Sequence, residues 1–340
     1  MTDLLIRTEG RAGRLTLNRP QALNALTHQQ CLQTEEALLG WRDDPAVSLV
    51  ILDAVGDRAF CSGGDIAQVS AAGRAGDYAM GREFWRDEYR MNLLLSRYPK
   101  PIVSFLHGFV MGGGVGYGCH VSHRIVGETV QMAMPECGIG LIPDVGGTWL
   151  LGRAPGQSGP YLGLTAARMG PGDAIHAGFA DAFVPQADWG AVKARLCETG
   201  DVTTLPRHAP PVSPLAEDAA LIDSLFEGED IPAILAALEA DDSPLAARAL
   251  KAMRRNSPLS MACTLAMLRP APASLAEALT QEFRWTWRAM DKGDFLEGVR
   301  AQIVDKDRNP TWQHASPDAV TDAEVARMRA PLGADELALT

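Results

Sequence analysis

Alternating and continuous apolar segments in the first half of the chain predict strands. Residues 4–8 and 14–18 alternate apolar and polar side chains on either side of Gly10 and Gly13, a pattern typical of a β-hairpin. The segment VSLVILDA, residues 47–54, is apolar almost throughout and predicts a buried strand. Further strands are predicted at residues 100–108, 124–126, 130–134 and 182–184.

Helical patterns lie between these strands. Thr27 and Gln30 have the spacing of a capping box, so a helix is predicted from there to about Trp41. The segment VGYGCHVSH, residues 115–123, predicts another helix directly before a short strand.

One predicted helix carries a charge on its apolar face. In REFWRDEYRMNLLLSRYP, residues 82–99, the side chains of Phe84, Met91 and Leu95 share one face, and Glu88 lies on the same stripe. Such a carboxylate is either a partly exposed residue at the edge of the stripe or a functional group. Spacing alone leaves both interpretations open.

The character of the chain changes after residue 200. Residues 201–214 contain four prolines and predict a linker. Beyond it, five helical segments begin with Ser-Pro, Ile-Pro or Ser-Leu, which suit helix initiation. The repeated units of two strands and a helix predict a spiral α/β core over residues 1–200. The later segments predict a mostly helical region over residues 215–340.

Charge restricts the partners that this chain could bind. Its 340 residues include 31 basic and 42 acidic side chains, a formal net charge of −11. That balance argues against nucleic acid or an anionic membrane as a partner, whereas a small phosphorylated ligand needs only a few local basic residues. No apolar run approaches the roughly 18 residues of a membrane span.

The cysteines and the N-terminal segment predict a location. Six cysteines are scattered without a CxxC pair, so neither a metal site nor a disulfide framework is expected, and reduced thiols fit best. The segment MTDLLIRTEGRAG lacks the long apolar stretch of a secretory signal, and its two acids make a transit peptide unexpected. A cytoplasmic location is therefore expected.

The densest glycine cluster lies in HGFVMGGGVGYGCH, residues 107–120. A dinucleotide fingerprint needs GxGxxG and a phosphate loop needs a following Lys-Ser or Lys-Thr, so neither motif fits. Two interpretations remain open. The glycines either permit tight packing of a helix on a strand, or expose backbone N–H groups that stabilise an oxyanion. A second glycine turn, Gly63-Gly64 before Asp65, has the same setting, so two turns could hold one oxyanion.

Candidate nucleophiles are few. There is no GxSxG motif. His120 and His123 are predicted to share a helix face and to be structural, because no carboxylate stands at metal-ligand spacing. The cysteines at 61, 119 and 137 are interpreted as small buried residues. The remaining candidates are carboxylates, namely Glu136, Asp144 and Glu88.

Several motifs together resemble the enoyl-CoA hydratase (crotonase) superfamily. They are LNRPQALNAL, AFCSGGDI, HGFVMGGGVG and MPECGIGLIPDVGG. Within it, FWRDEYRMN, PDVGG and the tail DFLEGVRAQIVDKDRNPTW look like the 3-hydroxyisobutyryl-CoA hydrolase branch. The resemblance extends over about residues 4 to 313 and implies an α/β fold, a crotonase-like spiral of ββα units with a helical C-terminal region.

The resemblance also implies roles for particular residues. In such proteins two backbone N–H groups hold the thioester oxygen, and they match Gly64 and Gly113. The catalytic positions match Glu136 and Asp144. The substrate positions are Glu88, Gly113, Glu136 and Asp144, together with CoA contacts at Ala22, Leu23, Ser62, Gly63, Asp65 and Ile66.

One departure from the hydratase pattern favours hydrolysis over hydration. Hydratases carry a glutamate three residues after the oxyanion glycine, and here that position is Gly116. Addition of water to a double bond needs both a base and an acid, and one of the two family carboxylates is missing. Asp144 stands instead in a loop where hydratases usually have glycine.

The resemblance therefore implies hydrolysis of 3-hydroxyisobutyryl-CoA to 3-hydroxyisobutyrate and CoA, a step of valine degradation. An enoyl-CoA hydratase or isomerase of the same superfamily is the nearest alternative, and a non-catalytic acyl-CoA binder is a lesser one. No metal or redox cofactor is expected, because CoA enters as part of the substrate. A homo-oligomer, trimer or smaller, is also expected.

Overall fold

The computed structural model of the protein describes residues 2–339. Nine strands are present among them. They are β1 (Leu4–Glu9), β2 (Ala12–Leu17), β3 (Leu49–Ala54), β4 (Ala59–Cys61), β5 (Ile102–Leu106), β6 (Phe109–Met111), β7 (His123–Val126), β8 (Gln131–Ala133) and β9 (Ala182–Phe183).

The described residues also form sixteen α-helices. They are α1 (His28–Arg42), α2 (Ile66–Arg74), α3 (Ala79–Ser96), α4 (Gly113–Cys119), α5 (Gly147–Gly152), α6 (Ser158–Thr165), α7 (Pro171–His176), α8 (Trp189–Thr199), α9 (Pro214–Glu217), α10 (Ala219–Leu225), α11 (Ile231–Glu239), α12 (Pro244–Met253), α13 (Pro258–Leu268), α14 (Leu275–Lys292), α15 (Phe295–Val299) and α16 (Asp322–Arg329).

The strands form two sheets that follow a spiral. The larger sheet has the order β1-β2-β3-β5-β7-β9 and the smaller one β4-β6-β8. The predicted hairpin is confirmed as the antiparallel pair β1–β2, and the later neighbours in both sheets run parallel. Because β3, β5 and β7 add successively to one sheet while β4, β6 and β8 add to the other, the predicted spiral of ββα units is confirmed.

The chain folds into two compact units, each built from several segments. Unit 1 contains the residues through Gly64, Asp87–Ala133 and Arg168–Ala216. Unit 2 contains Asp65–Arg86, Met134–Ala167 and the described residues from Glu217 onward. The predicted division into residues 1–200 and 215–340 concerns domain organisation and stays a prediction.

The core of unit 1 lies between the larger sheet and α8. Ile51, Val103 and Phe105 are fully buried there. The Phe105 ring packs edge-on against Trp189, with 5.3 Å between ring centroids. Apolar strands of this kind are expected in a parallel sheet that is covered by helices.

Helix caps in both units follow the predicted chemistry. In unit 1, Gln30 N donates to Thr27 Oγ1 at 3.2 Å, and Thr27 N donates to the Gln30 side chain at 2.9 Å, which confirms the capping box. In unit 2, Ser243 and Ser257 cap α12 and α13, each before a proline in the first turn. The helical character of the C-terminal region is confirmed, although its first predicted helix is divided into α9 and α10.

Two sequence predictions near the glycines are wrong. The helix predicted over residues 115–123 begins two residues earlier, at Gly113, and ends at Cys119. His123 is instead the first residue of β7, where it pairs with Val103, so His120 and His123 share no helix face. The sequence pattern did not distinguish the strands β4 and β6 from their surroundings, because three residues are too few to show a periodicity.

No helix within residues 2–339 has the length and hydropathy that a bilayer crossing requires.

Candidate active site

The glycine cluster begins α4 against the small sheet of unit 1. Gly112 has φ 47°, in the left-handed region, and turns the chain from β6 into the helix. A methyl group at position 114 would lie 2.3 Å from Cys61 O. One at position 118 would lie 2.8 Å from a ring carbon of Phe60. Tight packing therefore requires two of these glycines.

Gly113 faces a different environment, next to the second glycine turn. A methyl group at position 113 would lie 3.0 Å from Gly64 N and 2.9 Å from Glu88 Oε1. The Gly113 N–H belongs to the first turn of α4, where backbone donors have no partner within the helix. Gly64 N and the Glu88 carboxylate therefore lie so close to Gly113 that a side chain there would have to displace one of them.

Glu88 lies in the part of α3 that belongs to unit 1. Its residue exposure is 3%, which rules out a partly exposed position at the edge of the apolar stripe. Two buried thiols are within its electrostatic reach. Burial, with a smaller contribution from the Glu88 carboxylate, raises the pKa of Cys61 to about 12, and the pKa of Cys31 is raised by the same two causes.

The predicted CoA contacts of unit 1 form one connected segment. Ser62 N donates to Leu23 O at 3.1 Å, and Leu26 N donates to Gly63 O at 2.8 Å. Leu23 has φ 51°, and the adjacent Asn24 side chain stabilises this turn by donating to Ala59 O at 2.8 Å. All four of the predicted contacts in this segment are half-buried, namely Ala22, Leu23, Ser62 and Gly63.

Asp65 and Ile66 lie at the start of α2 in unit 2. The helix begins at Ile66 with Asp65 as its N-cap residue, but the Asp65 side chain makes no cap hydrogen bond. Both residues are half-buried.

Glu136 begins a short 3₁₀ turn in unit 2. The turn spans Glu136–Ile139 and ends at Gly140, which has φ 67°. Glu136 is 5% exposed, and Leu141 N donates to its carbonyl oxygen at 3.0 Å. The following Cys137 anchors the turn, because its carbonyl oxygen accepts from Ser257 N at 3.0 Å.

Asp144 begins a strained loop in the same unit. It is 4% exposed, and its carbonyl oxygen accepts from Gly147 N at 2.6 Å. Val145 has φ 52° and Gly146 has φ 80°. A β-branched residue is rarely found in the left-handed region, so the rest of the structure must hold this loop in place.

The residue that holds this loop is Glu282 of α14, which sequence reasoning missed. Its Oε2 accepts from Gly146 N at 2.7 Å, and its Oε1 accepts from Thr148 N at 2.9 Å. The sequence pattern could have indicated it, because Glu282 lies on an apolar stripe of its helix with Leu279 and Trp285. Glu88 was noticed from the same kind of position in α3.

The rejected nucleophiles have the environments expected of structural residues. Burial raises the pKa values of the Cys119 and Cys137 thiols to about 12, so neither is a thiolate near neutral pH. His107 shares a 2.8 Å hydrogen bond with Gly56 O, and burial lowers its pKa. No group of three His, Cys, Asp or Glu side chains that could hold a metal ion was found among residues 2–339.

The structure thus collects the predicted residues into two groups. Gly64, Gly113 and Glu88 lie together in unit 1, with the Ala22–Leu23 turn joined to the residues before Gly64. Glu136 and Asp144 lie in unit 2, each at the start of a turn and each nearly fully buried. The roles of these residues stay predictions.

Sequence comparison relates this architecture to known proteins. A family profile described as enoyl-CoA hydratase/isomerase matches residues 12–328. The chain is 37% identical to the 3-hydroxyisobutyryl-CoA hydrolase, mitochondrial, of Gallus gallus, over 99% of this chain and 91% of the relative. It is 35% identical to the protein of the same name from Homo sapiens, over 98% and 90% of the two chains.

Solved structures show the same fold. A structure described as an enoyl-CoA hydratase from Rhodobacter sphaeroides matches with a TM-score of 0.97 and 58% identity, over 99% of this chain and 100% of that one. One described as a carnitinyl-CoA dehydratase from Mycobacterium thermoresistibile matches with a TM-score of 0.95 and 42% identity, over 100% and 99%.

The expected cytoplasmic location is wrong by this comparison, because the curated relatives are named as mitochondrial proteins. The cysteine pattern could not have shown this. Free thiols argue against an oxidising compartment, but they do not distinguish one reducing compartment from another.

The glycine turn of unit 1 leads to a stability prediction. We expect Gly114→Ala to lower the free energy of unfolding by about 1–3 kcal/mol or more, because α4 and β4 must separate to admit the methyl group. Gly40→Ala is the matched control, since no atom lies within 4 Å of its added methyl group in α1. Urea denaturation followed by circular dichroism measures both variants. A Gly114→Ala protein as stable as the Gly40→Ala protein would contradict the packing role.

Proposed function

The chain belongs to the enoyl-CoA hydratase/isomerase family, and we propose that it hydrolyses an acyl-CoA thioester, 3-hydroxyisobutyryl-CoA. The observation that carries this proposal is the close approach of Gly64 N and the Glu88 carboxylate to Gly113, which has no side chain. The names of the curated relatives support the choice of substrate.

The first element of the proposed mechanism is the oxyanion site. The N–H groups of Gly64 and Gly113 bind the thioester oxygen and stabilise its negative charge in the tetrahedral intermediate. Because both donors are backbone groups of packed turns, they need no rearrangement during the reaction. The absence of a side chain at position 113 lets the carbonyl oxygen approach.

Glu88 selects the acyl group in this proposal. Its carboxylate lies close to Gly113 and accepts a hydrogen bond from the hydroxyl of the 3-hydroxyacyl chain. A buried acceptor discriminates strongly against an analogue without the hydroxyl, because its own hydrogen bond is then lost.

Glu136 and Asp144 perform the chemistry. Glu136 either attacks the thioester carbonyl to give an anhydride, which water then opens, or removes a proton from the attacking water. In both routes one water is consumed, the C–S bond breaks and a new C–O bond forms at the acyl carbon. The CoA sulfur leaves as a thiol after it gains a proton, and water restores the Glu136 carboxylate where an anhydride forms. Asp144 assists the proton transfers or orients Glu136 and the water.

Gly116 supports hydrolysis over hydration. It lies inside α4, where its N–H donates to Gly112 O at 3.1 Å, and it has no side chain to move a proton. Hydration of an enoyl-CoA needs a second acid–base group at this position of the family pattern. Because the Rhodobacter sphaeroides structure is described as an enoyl-CoA hydratase, hydration is the alternative function to be tested.

Three further expectations accompany this function. Hydrolysis of this substrate is a step of valine degradation. It needs no metal or redox cofactor, because the oxyanion donors and carboxylates supply the charge stabilisation and proton transfers. The oligomeric state, a trimer or smaller, is measured by sedimentation.

We predict that Glu136→Gln lowers kcat for 3-hydroxyisobutyryl-CoA by about 10²–10⁴-fold, because glutamine can act neither as a base nor as a nucleophile. Thiol release is followed with a thiol-reactive dye, and acyl-CoA binding is measured separately. Glu239→Gln is the control, since the Glu239 side chain is 53% exposed and pairs only with Arg254 among the described ion pairs.

The same assay separates the alternatives. Loss of enoyl absorbance from crotonyl-CoA without thiol release would support a hydratase. Tight acyl-CoA binding without any turnover would support a non-catalytic binder. Near-normal thiol release by Glu136→Gln with intact binding would contradict the assignment of Glu136.

We also predict that Gly113→Ala lowers kcat by about 100-fold or more, because its methyl group would cover the Gly64 amide and displace the Glu88 carboxylate. Position 113 has no left-handed φ, so the variant is expected to fold, and circular dichroism checks this. Gly190→Ala is the matched control, with no atom within 4 Å of its added methyl group in α8. Wild-type turnover by Gly113→Ala would contradict the oxyanion site.

A further inference from the structure

Glu282 is a fully buried carboxylate that the proposed mechanism does not use. Its exposure is 0%. Three donors of the Asp144 loop, defined as residues 144–148, converge on it: Gly146 N at 2.7 Å, Thr148 N at 2.9 Å and Thr148 Oγ1 at 2.5 Å. A buried carboxyl group is costly unless hydrogen bonds satisfy it, so its presence at the base of this loop needs a physical reason.

The first reason is that the loop cannot hold its own conformation. Val145 and Gly146 are consecutive residues with positive φ, and one of them is β-branched. The loop leads into α5, whose N-cap residue Gly146 has no side chain to accept from the first turn. Glu282 supplies that acceptor from α14 and bonds donors at two separate points of the loop.

The second reason is the link between Glu282 and Asp144. Burial raises the pKa of Glu282 to about 8, whereas the bonds from Thr148 and Gly146 lower it and the negative charge of Asp144 raises it. Asp144 is therefore close enough for its charge to act on Glu282. Glu282 is therefore connected to Asp144, a proposed catalytic residue, by three hydrogen bonds to its loop and by this electrostatic interaction.

We propose that Glu282 is a positioning residue, which holds the Asp144 loop by three hydrogen bonds and so sets the position of the Asp144 carboxylate during thioester hydrolysis. This inference rests on the proposed function. Glu282 reaches the reaction only through the loop.

The test begins with Glu282→Gln, which keeps the size of the side chain. A glutamine has one acceptor oxygen, so either Gly146 N or the Thr148 donors must face its NH₂ group. We expect kcat to fall by about 100-fold, as for a small displacement of a catalytic group, with KM nearly unchanged. An unchanged kcat would overturn the proposal.

A second pair of variants tests the same bonds from the loop side. Thr148→Val removes only the hydroxyl donor and should lower kcat in the same way, by about 3–10-fold for one lost bond. Thr148→Ser restores the donor and should recover most of the activity. Equal activities of the valine and serine variants would count against the proposal.

Coupling to Asp144 is tested by combining substitutions. If Glu282 acts through Asp144, Glu282→Gln should lower kcat only slightly in a protein that already carries Asp144→Asn. The reason is that the effects of substitutions on kcat are not additive for residues that act as one unit. A fully additive loss would show that Glu282 acts independently of Asp144. If Asp144→Asn leaves no measurable activity, the Thr148 pair decides.

A matched control addresses general destabilisation. Asp173 in unit 1 is also a buried carboxylate that accepts from three groups: Ser213 Oγ, Leu215 N and Gly170 N. Asp173→Asn should lower stability to a similar degree without lowering kcat. If Asp173→Asn lowers kcat as much as Glu282→Gln does, the loss of activity would be explained by general destabilisation, and the positioning role would be overturned.

Hydrogen exchange separates failure of this inference from failure of the proposed function. Glu282→Gln should speed amide exchange at Gly146 and Thr148, whether or not the wild-type protein hydrolyses the thioester. If the wild type releases no thiol, the proposed function fails and with it the catalytic part of the inference, while faster exchange still supports the hold on the loop. Unchanged exchange would overturn that hold.

Discussion

The close approach of α4 to β4 is the constraint on which the candidate site of unit 1 depends. Only a residue without a Cβ can stand at position 114, because a methyl group there would lie 2.3 Å from Cys61 O. This contact holds the first turn of α4 against β4, next to the position where Gly113 approaches Gly64 N. The five glycines therefore have different roles. Gly112 turns the chain, and Gly114 and Gly118 permit close packing. Gly113 borders the candidate site, and Gly116 has no side chain that could transfer a proton.

In unit 2, hydrogen bonds from neighbouring elements hold the turns that carry the candidate catalytic residues. Glu136 and Asp144 are both buried at the starts of turns that contain a left-handed glycine, Gly140 or Gly146. A turn of this kind has few backbone bonds of its own, so neighbouring elements must hold it. Ser257 N bonds the first turn and Glu282 the second, which ties both candidate catalytic loops to the C-terminal helices.

The sequence predicts the long elements of this fold and misses what depends on contacts between distant residues. Continuous apolar runs and cap residues were sufficient for β3, α1 and the C-terminal helices. The start of α4 was misplaced because glycine has low helix propensity, and packing on β4 overrides that preference. Glu88 could be noticed from its place on an apolar stripe. Glu282 could be noticed in the same way, but its partners lie about 135 residues away and only the fold brings them together.

The overall similarity of sequence and fold does not distinguish hydration from hydrolysis in this family. The distinction must come from the side chains of the site. The solved structure at 58% identity is described as a hydratase, whereas curated relatives at 35–38% identity are named hydrolases. One fold can host several reactions, because a few side chains of a site determine which bonds form and break on the same scaffold. A hydratase must remove a proton from the water that attacks one carbon of the double bond and deliver a proton to the other carbon, and so needs two groups in place. At position 116 this chain has no side chain at all, whereas Asp144 adds a carboxylate in a loop that α14 holds in place. Under the proposed function, this difference in carboxylate positions favours hydrolysis at the carbonyl carbon over hydration of a double bond.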